Sequence, residues 1–283
     1  MQTTQLTIQP QSTRLAQYTG KTIVVKYGGN AMINDTLKQA VMQDLLALNR
    51  LGIRLVLVHG GGPEISQGLK QIGKESQFIQ GLRVTDRETI EIVLQMLAGK
   101  VNKQLVALLQ GKGVGLSGID GAMLQCQKCT IHGDLGFVGE IVKVDPTLVK
   151  LALESGFIPV ISTVGVSSEG EIYNINADTA ASQIAIALDA AKLVSMTDIA
   201  GLLRDQQDPH SLITSLNLNE VQPLIDNGVI QGGMIPKIQG CVDFLTNGGE
   251  EASIIDGRIA HAIFNELLGE ERCGTTLYGA NCQ

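Results

Sequence analysis

The stretch Val24-Val25-Lys26-Tyr27-Gly28-Gly29 determines how the rest of the chain is interpreted. The apolar, β-branched residues at its start are typical of a strand that is buried on both faces in a parallel sheet. Two glycines follow the lysine region, and glycine N–H groups can approach an oxyanion closely because no Cβ intervenes. In open α/β sheets, ligands bind at the carboxyl ends of the strands. Considered alone, the stretch fits two interpretations equally well. One is a binding site for a phosphoryl group or another anion, and the other is an ordinary strand-to-helix turn with a solvated lysine.

A second glycine-rich strand end favours the anion site. The run Leu55-Val56-Leu57-Val58-His59 is followed by Gly60-Gly61-Gly62-Pro63. Pro63 suits the first turn of a helix, so the glycines would form a nest of backbone donors at a helix N-terminus. The spacing matches neither the Walker A loop nor the dinucleotide fingerprint. Two glycine-rich strand ends in one sheet therefore predict a single site in which they contact an anionic substrate from two sides.

Composition excludes several classes of protein. The chain has 283 residues, of which 44% are hydrophobic and 17% charged, as expected of a globular rather than a disordered protein. Its net charge of −7 argues against a nucleic-acid or membrane-surface partner. Its five cysteines are an odd number in a large chain, which argues against a secreted disulfide framework. Cys126 and Cys129 form a C-x-x-C with His132 nearby, and we favour a surface hairpin over a zinc site there.

The order of predicted elements indicates the domain organisation. Strands alternate with helices, which predicts a parallel sheet covered by helices on both faces. Residues 1–21 form an N-terminal segment with a short helix around Ser12–Tyr18, limited upstream by Pro10. Residues 22–283 form a single domain without a linker-like run, and we expect one continuous sheet. Short alternating segments between Gly118 and Val144 predict hairpins.

Helix boundaries follow from caps and glycines. Thr85 is the expected N-cap of one helix, with Glu88 at capping-box spacing. The helical region that follows is expected to break near Gly99. Later in the chain we expect a helix over Met234–Thr246 and a last strand over Thr275–Tyr278.

Two lysines and one aspartate are the candidates for catalysis. Phosphoryl transfer needs charge neutralisation, a positioned nucleophile and a metal-bound nucleotide. Lys26 and Lys237 both lie at glycine-rich junctions, and Lys237 falls in the first turn of a predicted helix, where a cation needs an anionic partner. Asp178 at another helix start would orient both lysines. A carboxylate substrate is already ionised, so no general base is required. The alternative is that the three are ordinary surface and helix-start residues.

Three further polar residues are candidates for substrate binding. Arg83 lies between two predicted helices, where its guanidinium could clamp a carboxylate bidentately. Asn174 and Asn176 could bind an amide or a carboxylate. From the residues alone, a surface arginine and two turn or cap asparagines are the favoured interpretations.

Seven short motifs follow one another along the chain. They are Lys26-Tyr27-Gly28-Gly29-Asn30-Ala31-Met32, His59-Gly60-Gly61-Gly62-Pro63, Gly81-Leu82-Arg83-Val84-Thr85-Asp86, Gly99-Lys100-Val101-Asn102-Lys103, Asn174-Ile175-Asn176-Ala177-Asp178, Met196-Thr197-Asp198-Ile199-Ala200-Gly201 and Gly233-Met234-Ile235-Pro236-Lys237. Taken together, in order and spacing, the set resembles the amino acid kinase family, and within it the members that phosphorylate N-acetyl-L-glutamate. The resemblance extends from Thr22 to Gly279.

The resemblance implies a fold and a reaction. The fold would be an α/β three-layer αβα sandwich around a mainly parallel central sheet. An N-terminal lobe of about residues 22–180 would bind the substrate, and a C-terminal lobe of about 181–283 would bind ATP with nucleotide-bound Mg²⁺. The reaction implied is phosphorylation of the side-chain carboxylate of N-acetyl-L-glutamate to N-acetyl-L-glutamyl 5-phosphate, in arginine biosynthesis. No protein-bound metal is expected.

The resemblance also implies roles for individual residues. Lys26 and Lys237 would stabilise the transferring phosphoryl group, and Asp178 would organise them. The substrate-binding residues would be Gly28, Gly29, Gly61, Gly62, Arg83, Asn174 and Asn176. The nucleotide-binding residues would be Thr197, Asp198, Gly201 and Lys237. The C-terminal part resembles that of arginine-inhibited members, with His261, Glu266 and Gly274 as the effector residues.

The resemblance further implies partners and a compartment. It implies a homo-oligomer, either a dimer or a hexamer built as a trimer of dimers. Feedback inhibition by arginine is favoured over the alternative, a dimer that is insensitive to arginine. PII signalling protein is a further implied partner, and the location would be the cytoplasm, or the plastid stroma if the source is an alga. Two rival functions stay open: a kinase for N-acetyl-aminoadipate and a non-catalytic arginine-binding module.

Overall fold

The computed structural model describes residues 12–131, 133–205, 207–270 and 272–279. The strands are β1 (Thr22–Tyr27), β2 (Arg54–His59), β3 (Phe78–Ile79), β4 (Leu82–Arg83), β5 (Gly113–Ser117), β6 (Leu124–Lys128), β7 (Gly139–Val144), β8 (Ile158–Ser162), β9 (Val164–Val166), β10 (Ile172–Asn174), β11 (Lys192–Thr197), β12 (Ser215–Asn217), β13 (Glu251–Asp256) and β14 (Thr275–Tyr278).

The α-helices are α1 (Ser12–Tyr18), α2 (Asp35–Arg50), α3 (Gly62–Gln71), α4 (Arg87–Leu94), α5 (Asn102–Leu108), α6 (Thr147–Glu154), α7 (Ala177–Ala187), α8 (Leu218–Asp226), α9 (Met234–Thr246) and α10 (Ala262–Leu268). A π-helical segment, Gln95–Val101, joins α4 to α5. Short 3₁₀ turns lie at Gly29–Met32, Asp120–Ala122 and Pro209–Ser211. In the described ranges, no helix is both long enough and apolar enough to cross a membrane.

An eight-stranded sheet forms the middle layer of the molecule. Its strand order is β12-β14-β13-β11-β1-β2-β8-β5, and β14 runs antiparallel to β13 while the other pairings are parallel. β1 and β2 are neighbours in the centre, so the two glycine-rich strand ends lie side by side. The predicted three-layer fold with a mainly parallel sheet is confirmed.

The sheet separates two apolar cores, and β1 shows how it does so. Val24 belongs to the core under α7 and α9, whereas Ile23 and Val25 belong to the core under α2 and α10. Successive side chains of a strand point to opposite faces, so Lys26 shares the face of Val24. The lysine is therefore directed towards α7 and α9, the helices that hold the other two catalytic candidates.

The prediction of one continuous sheet is wrong. β10, β9, β6 and β7 form a separate four-stranded sheet, and β3 pairs with β4 as an isolated hairpin. Alternating patterns identify strands but do not specify which strands pair, because pairing depends on contacts between segments that are distant in sequence. The predicted hairpins between Gly118 and Val144 do form, as β6 and β7 pair antiparallel.

Two details of the helical region also differ from expectation. The N-cap of α4 is Asp86, whose carboxylate accepts the Thr89 N–H, and the Thr85 hydroxyl instead donates to the Arg83 carbonyl. Asp and Thr are both good N-caps, so sequence alone misplaced the start by one residue. The helix is not broken at Gly99, because the π-helical segment carries the chain through to α5.

Candidate active site

Lys26, Asp178 and Lys237 meet at the carboxyl ends of β1 and β11. Nζ of Lys26 lies 3.0 Å from Oδ1 of Asp178, and Nζ of Lys237 lies 3.5 Å from Oδ2. The side chains are 7%, 11% and 24% exposed for Lys26, Asp178 and Lys237. Two positive charges thus face one negative charge in a largely buried place. The excess positive charge suits an anionic ligand.

The electrostatics of the cluster keep Asp178 ionised. Burial acts to raise the pKa of its carboxyl, but the charges of Lys26 and Lys237 outweigh burial and hold the pKa below its usual value. Burial and the nearby charge of Lys26 lower the pKa of Lys237, while Asp178 opposes that change. An anion bound between the lysines would favour their charged forms.

Local sequence explains how α7 and α9 reach the same point. Asn176 caps α7 by accepting the N–H groups of Asp178 and Thr179, which places Asp178 in the first turn. Gly240 of α9 faces this turn, and a Cβ there would lie 3.3 Å from the Asp178 carbonyl oxygen. The missing side chain allows α9 to approach α7, which brings Lys237 within reach of Asp178.

The glycines after β1 make room for charged side chains. A Cβ on Gly28 would lie 3.4 Å from Nζ of Lys26, and a Cβ on Gly29 would lie 2.5 Å from Oδ1 of Asp198. Gly29 also has a φ of +76°, a conformation that favours glycine. The structure therefore places Gly28 beside the catalytic candidates and Gly29 against Asp198, at the end of β11.

A cavity of about 150 Å³ is lined by the glycines after β2 and by Ala177, which directly precedes Asp178. We call it the glycine-nest cavity. It brings together several of the predicted substrate-binding residues that are far apart in sequence. Its lining includes Gly61, Gly62, Arg83, Asn174 and Asn176.

Arg83 is buried in the wall of this cavity, and its hydrogen-bond partners among the described residues are neutral. Its guanidinium donates to the Gly62 carbonyl oxygen and to the hydroxyls of Ser66 and Ser76, and it stacks on the Phe78 ring. In the described part of the chain, no carboxylate forms an ion pair with Arg83. Burial lowers the pKa of Arg83 from its usual value. A carboxylate ligand would supply the missing countercharge.

The two asparagines differ in which of their side-chain atoms already form hydrogen bonds within the protein. Nδ2 of Asn174 donates to the hydroxyl of Thr85, at 3.2 Å. Oδ1 of Asn176 is occupied by the cap of α7, so only its amide N–H₂ remains to meet a ligand. Asn176 therefore has a structural role that its position before a helix predicts.

A second cavity, of about 450 Å³, lies at the end of β11, and we call it the β11 cavity. It includes two predicted nucleotide-binding residues, Thr197 and Gly201, and Lys237 links it to the lysine–aspartate cluster. Asp198 lies instead against Gly29. The rest of the lining is Ile199, Leu202, Leu203, Val229, Gln231, Gly233 and Met234.

Sequence reasoning missed two parts of the site. Ser195 donates its hydroxyl to Oδ1 of Asp178 at 3.2 Å, on the same face of the sheet as Lys26. The sequence signal for this role was that Ser195 is a small polar residue within the otherwise apolar middle of β11. The apolar wall of the β11 cavity, with Leu203, Val229 and Met234, gave no signal because apolar residues at these spacings are usual in any core.

The three predicted effector residues lie around α10. His261 contacts Asp44 through Nδ1 at 2.7 Å, and Gly274 has a φ of +101°. Glu266 is buried, and its Oε1 accepts from Nζ of Lys192 at 2.7 Å while its Oε2 accepts the N–H of Cys273. Glu266 is thus part of a buried ionic network rather than a solvated helix residue.

The C-x-x-C motif lies on the predicted hairpin, but its thiols face inward. Cys126 and Cys129 are both buried, and His132 lies outside the described residues. Among the residues that the structure covers, no group of three His, Cys, Asp or Glu side chains is placed to hold a metal ion.

The site and the fold together define an α/β protein with a buried lysine–aspartate–lysine cluster, one cavity lined in part by Lys237 and another lined in part by Ala177, the neighbour of Asp178. Residues 21–256 match the model of the amino acid kinase family. An acetylglutamate kinase from Actinobacillus pleuropneumoniae is 67% identical over 264 residues, covering 93% of each chain. One from Heliobacterium modesticaldum is 50% identical over 274 residues, covering 92% of this chain and 93% of that protein. The chain belongs to the amino acid kinase family, as its motifs predicted.

Solved structures agree with this assignment. N-acetylglutamate synthase from Neisseria gonorrhoeae, complexed with coenzyme A and N-acetyl-glutamate, superposes with a TM-score of 0.83 at 27% identity. The match covers 96% of this chain and 62% of the synthase chain, so this chain spans less than two thirds of that protein. Carbamate kinase from Giardia lamblia bound to AMP-PNP has a TM-score of 0.66 at 17% identity, covering 92% and 99%, and supports the fold alone.

Proposed function

We propose that this chain phosphorylates the side-chain carboxylate of N-acetyl-L-glutamate with ATP, giving N-acetyl-L-glutamyl 5-phosphate and ADP in arginine biosynthesis. The observation that carries the proposal is the buried cluster of Lys26, Asp178 and Lys237, in which Lys237 lines one cavity and Asp178 directly follows the lining of another. One cavity would hold the acylated amino acid and the other the nucleotide. Relatives named acetylglutamate kinase at 48–67% identity support this choice.

The chain's own residues would act mainly by electrostatics and positioning. A carboxylate oxygen of the substrate attacks the γ-phosphorus, a new O–P bond forms, and the bond to the ADP oxygen breaks. Lys26 and Lys237 neutralise the charge on the transferring group, and such preorganised charges are worth most in a water-poor site. Asp178 holds both lysines in place and takes no proton, because the nucleophile is already ionised.

The glycine-nest cavity would hold the acylated amino acid. Arg83 would bind the α-carboxylate, since it is a buried cation whose partners in the described ranges are neutral. Asn174 and the N–H₂ group of Asn176 would bind the acetamido end, and Gly61 and Gly62 would supply backbone donors. N-acetyl-aminoadipate is the runner-up substrate, and one extra methylene discriminates by only about 10- to 200-fold.

The β11 cavity would bind the nucleotide. Its apolar wall suits an adenine ring, and Lys237 in its lining suits the phosphates. Mg²⁺ would enter with ATP and neutralise phosphate charge, held largely by phosphate oxygens and water. Asp178 is not suited to hold it, because both of its oxygens already contact lysines. The positions of the two cavities support the proposed division into lobes at about residue 180.

Regulation, assembly and location are finer proposals. We propose that the protein is a homo-oligomer, either a dimer or a trimer of dimers. Arginine would inhibit it and PII signalling protein would be a further partner. Its location would be the cytoplasm or a plastid stroma. The buried network around Glu266 bears on arginine, because a guanidinium ligand would have to compete with Lys192 and with Arg272, which contacts Glu251. A non-catalytic arginine-binding module is less well supported, since the lysine–aspartate cluster is intact.

A coupled ADP-release assay with a panel of N-acyl amino acids tests the proposal. We expect ATP- and Mg²⁺-dependent turnover of N-acetyl-L-glutamate, with N-acetyl-aminoadipate and free glutamate at least about tenfold worse in kcat/KM. Turnover of N-acetyl-aminoadipate or glutamate without turnover of N-acetyl-L-glutamate would refute it.

A further inference from the structure

The imidazole of His59 is completely buried at the carboxyl end of β2, directly before the three glycines. Its Nδ1 lies 2.8 Å from the carbonyl oxygen of Gly60, and its Nε2 lies 3.2 Å from Nδ2 of Asn102. A carbonyl oxygen can only accept a hydrogen bond, so Nδ1 carries the proton. The ring therefore donates to the backbone of the glycine nest.

Asn102 holds the other side of the ring in a fixed orientation. Its Nδ2 lies 2.8 Å from the carbonyl oxygen of Val160 in β8 and 3.2 Å from that of Leu116 in β5. Its Oδ1 accepts from Nζ of Lys103. A flipped amide would turn its oxygen towards those carbonyl oxygens, so Nδ2 must face them and His59. Its two hydrogens serve three acceptors, and Nε2 of His59 is an acceptor.

This arrangement makes His59 a neutral ring with a single tautomer. A charged ring would place an N–H against the N–H₂ of Asn102. Burial lowers the pKa of His59 to about 4, against the opposing effect of the hydrogen bond to Gly60. The network is also tightly packed, because a Cβ on Gly115 would overlap Oδ1 of Asn102.

All three carbonyl groups of the glycine nest are engaged by the protein. His59 donates to the Gly60 carbonyl, the Ile65 N–H to that of Gly61, and the Arg83 guanidinium to that of Gly62. The N–H groups of a helix's first turn have no acceptor within the helix. With the carbonyls held elsewhere, the nest offers donors to an anion in the cavity that Gly61 and Gly62 line.

We infer that His59 is a positioning residue, which holds the Gly60 carbonyl away from the cavity so that the N–H groups of Gly61 and Gly62 face the acylated amino acid and the transferring phosphoryl group. The inference rests on the proposed function. Without the imidazole N–H, the Gly60–Gly61 peptide can rotate its carbonyl oxygen towards the anion and its Gly61 N–H away from it. Misplacement of catalytic groups by about 1 Å can cost up to 100-fold in rate.

Two substitutions separate the donor to Gly60 from the bulk of the ring. His59→Asn places an amide nitrogen where Nδ1 stands, whereas His59→Gln places its amide where Nε2 stands. We expect His59→Gln to lower kcat and raise KM for N-acetyl-L-glutamate by about tenfold each, with KM for ATP within twofold of the parent. His59→Asn is expected to recover a substantial part of the loss. His210→Gln, at an exposed site, is the matched control.

The results divide clearly. If the parent enzyme does not turn over, the proposed function fails first. The positioning role is wrong if the parent is active and His59→Gln keeps kcat and KM for N-acetyl-L-glutamate within twofold of the parent. It is also wrong if His59→Gln raises KM for ATP as much as KM for N-acetyl-L-glutamate and lowers the melting temperature. Equal losses in His59→Asn and His59→Gln would also overturn it.

A measurement on the unaltered protein covers the case in which neither variant folds. Among four histidines, the ¹⁵N spectrum of labelled His59 should show a neutral ring protonated at Nδ1 between about pH 6 and 8. Its Nδ1 signal should shift when N-acetyl-L-glutamate is added. The other tautomer, or no response to the substrate, would overturn the inference.

Discussion

At the scale of single residues, the two lysines predict the largest kinetic effects. Lys26→Ala and Lys237→Ala should each lower kcat by about 100-fold or more, because each removes a charge that stabilises the transferring group. Initial rates at saturating substrates measure this, with Lys150→Ala on the exposed side of α6 as the control. A normal kcat in either catalytic-site variant would refute its assignment.

Arg83 should act on binding rather than on the chemical step. Arg83→Ala removes a charge-assisted contact to the substrate carboxylate, which is worth about 1.5–3 kcal/mol, so KM for N-acetyl-L-glutamate should rise by about 10- to 100-fold. Arg83→Lys keeps the positive charge but loses the paired N–H donors of the guanidinium. Its KM for N-acetyl-L-glutamate should lie between the values of the parent and of Arg83→Ala. A defect confined to kcat would argue against a carboxylate clamp.

At the scale of elements, close backbone contacts predict which glycines cannot be replaced. A Cβ on Gly118, after β5, would overlap the Val164 carbonyl oxygen, whereas a Cβ on Gly99 would meet nothing within 4 Å. We expect Gly118→Ala to destabilise the fold by about 2 kcal/mol or more, and Gly99→Ala to be neutral or slightly stabilising. Denaturant titrations of both variants measure this, and equal midpoints would contradict the packing around β5.

The elements also show what can be predicted from sequence and what cannot. The bounds of α9 and β14 match the prediction, since glycines and an abrupt change of periodicity mark both. The π-helical segment before α5 was missed, because no residue type distinguishes it from an α-helix. The split into three sheets was missed because strand pairing is set by long-range contacts.

The candidate site was predicted at the level of residue identity but not of geometry. Glycines and lysines at strand ends can be identified from the sequence, and so can an aspartate at the start of a helix. That Lys26, Asp178 and Lys237 share one point depends on the order of strands and on the close approach at Gly240. Ser195 was missed because its role exists only through its contact with Asp178.

At the scale of the whole molecule, His59 predicts a component of acid sensitivity. Its pKa falls from 6.5 to about 4 on folding, and 2.5 units correspond to about 3 kcal/mol. The unfolded chain binds the proton more readily, so this stability is present above pH 6.5 and is lost as pH falls to about 4.

The free energy of unfolding, measured from pH 7 down to about pH 4, tests this component. Other groups titrate in the same range, so the comparison is between the parent and His59→Asn. The variant should lose about 3 kcal/mol less than the parent over that interval. Parallel curves for the two proteins would show that His59 does not carry this part of the acid sensitivity.

The central claim is that the two cavities bring a carboxylate and the γ-phosphate of ATP together at Lys26, Asp178 and Lys237. Trapping with hydroxylamine tests it most directly, because hydroxylamine converts an acyl phosphate into a stable hydroxamate. With N-acetyl-L-glutamate and MgATP, we predict hydroxamate in amounts equal to the ADP released, and loss of both in Lys26→Ala. Release of ADP without hydroxamate would contradict the claim.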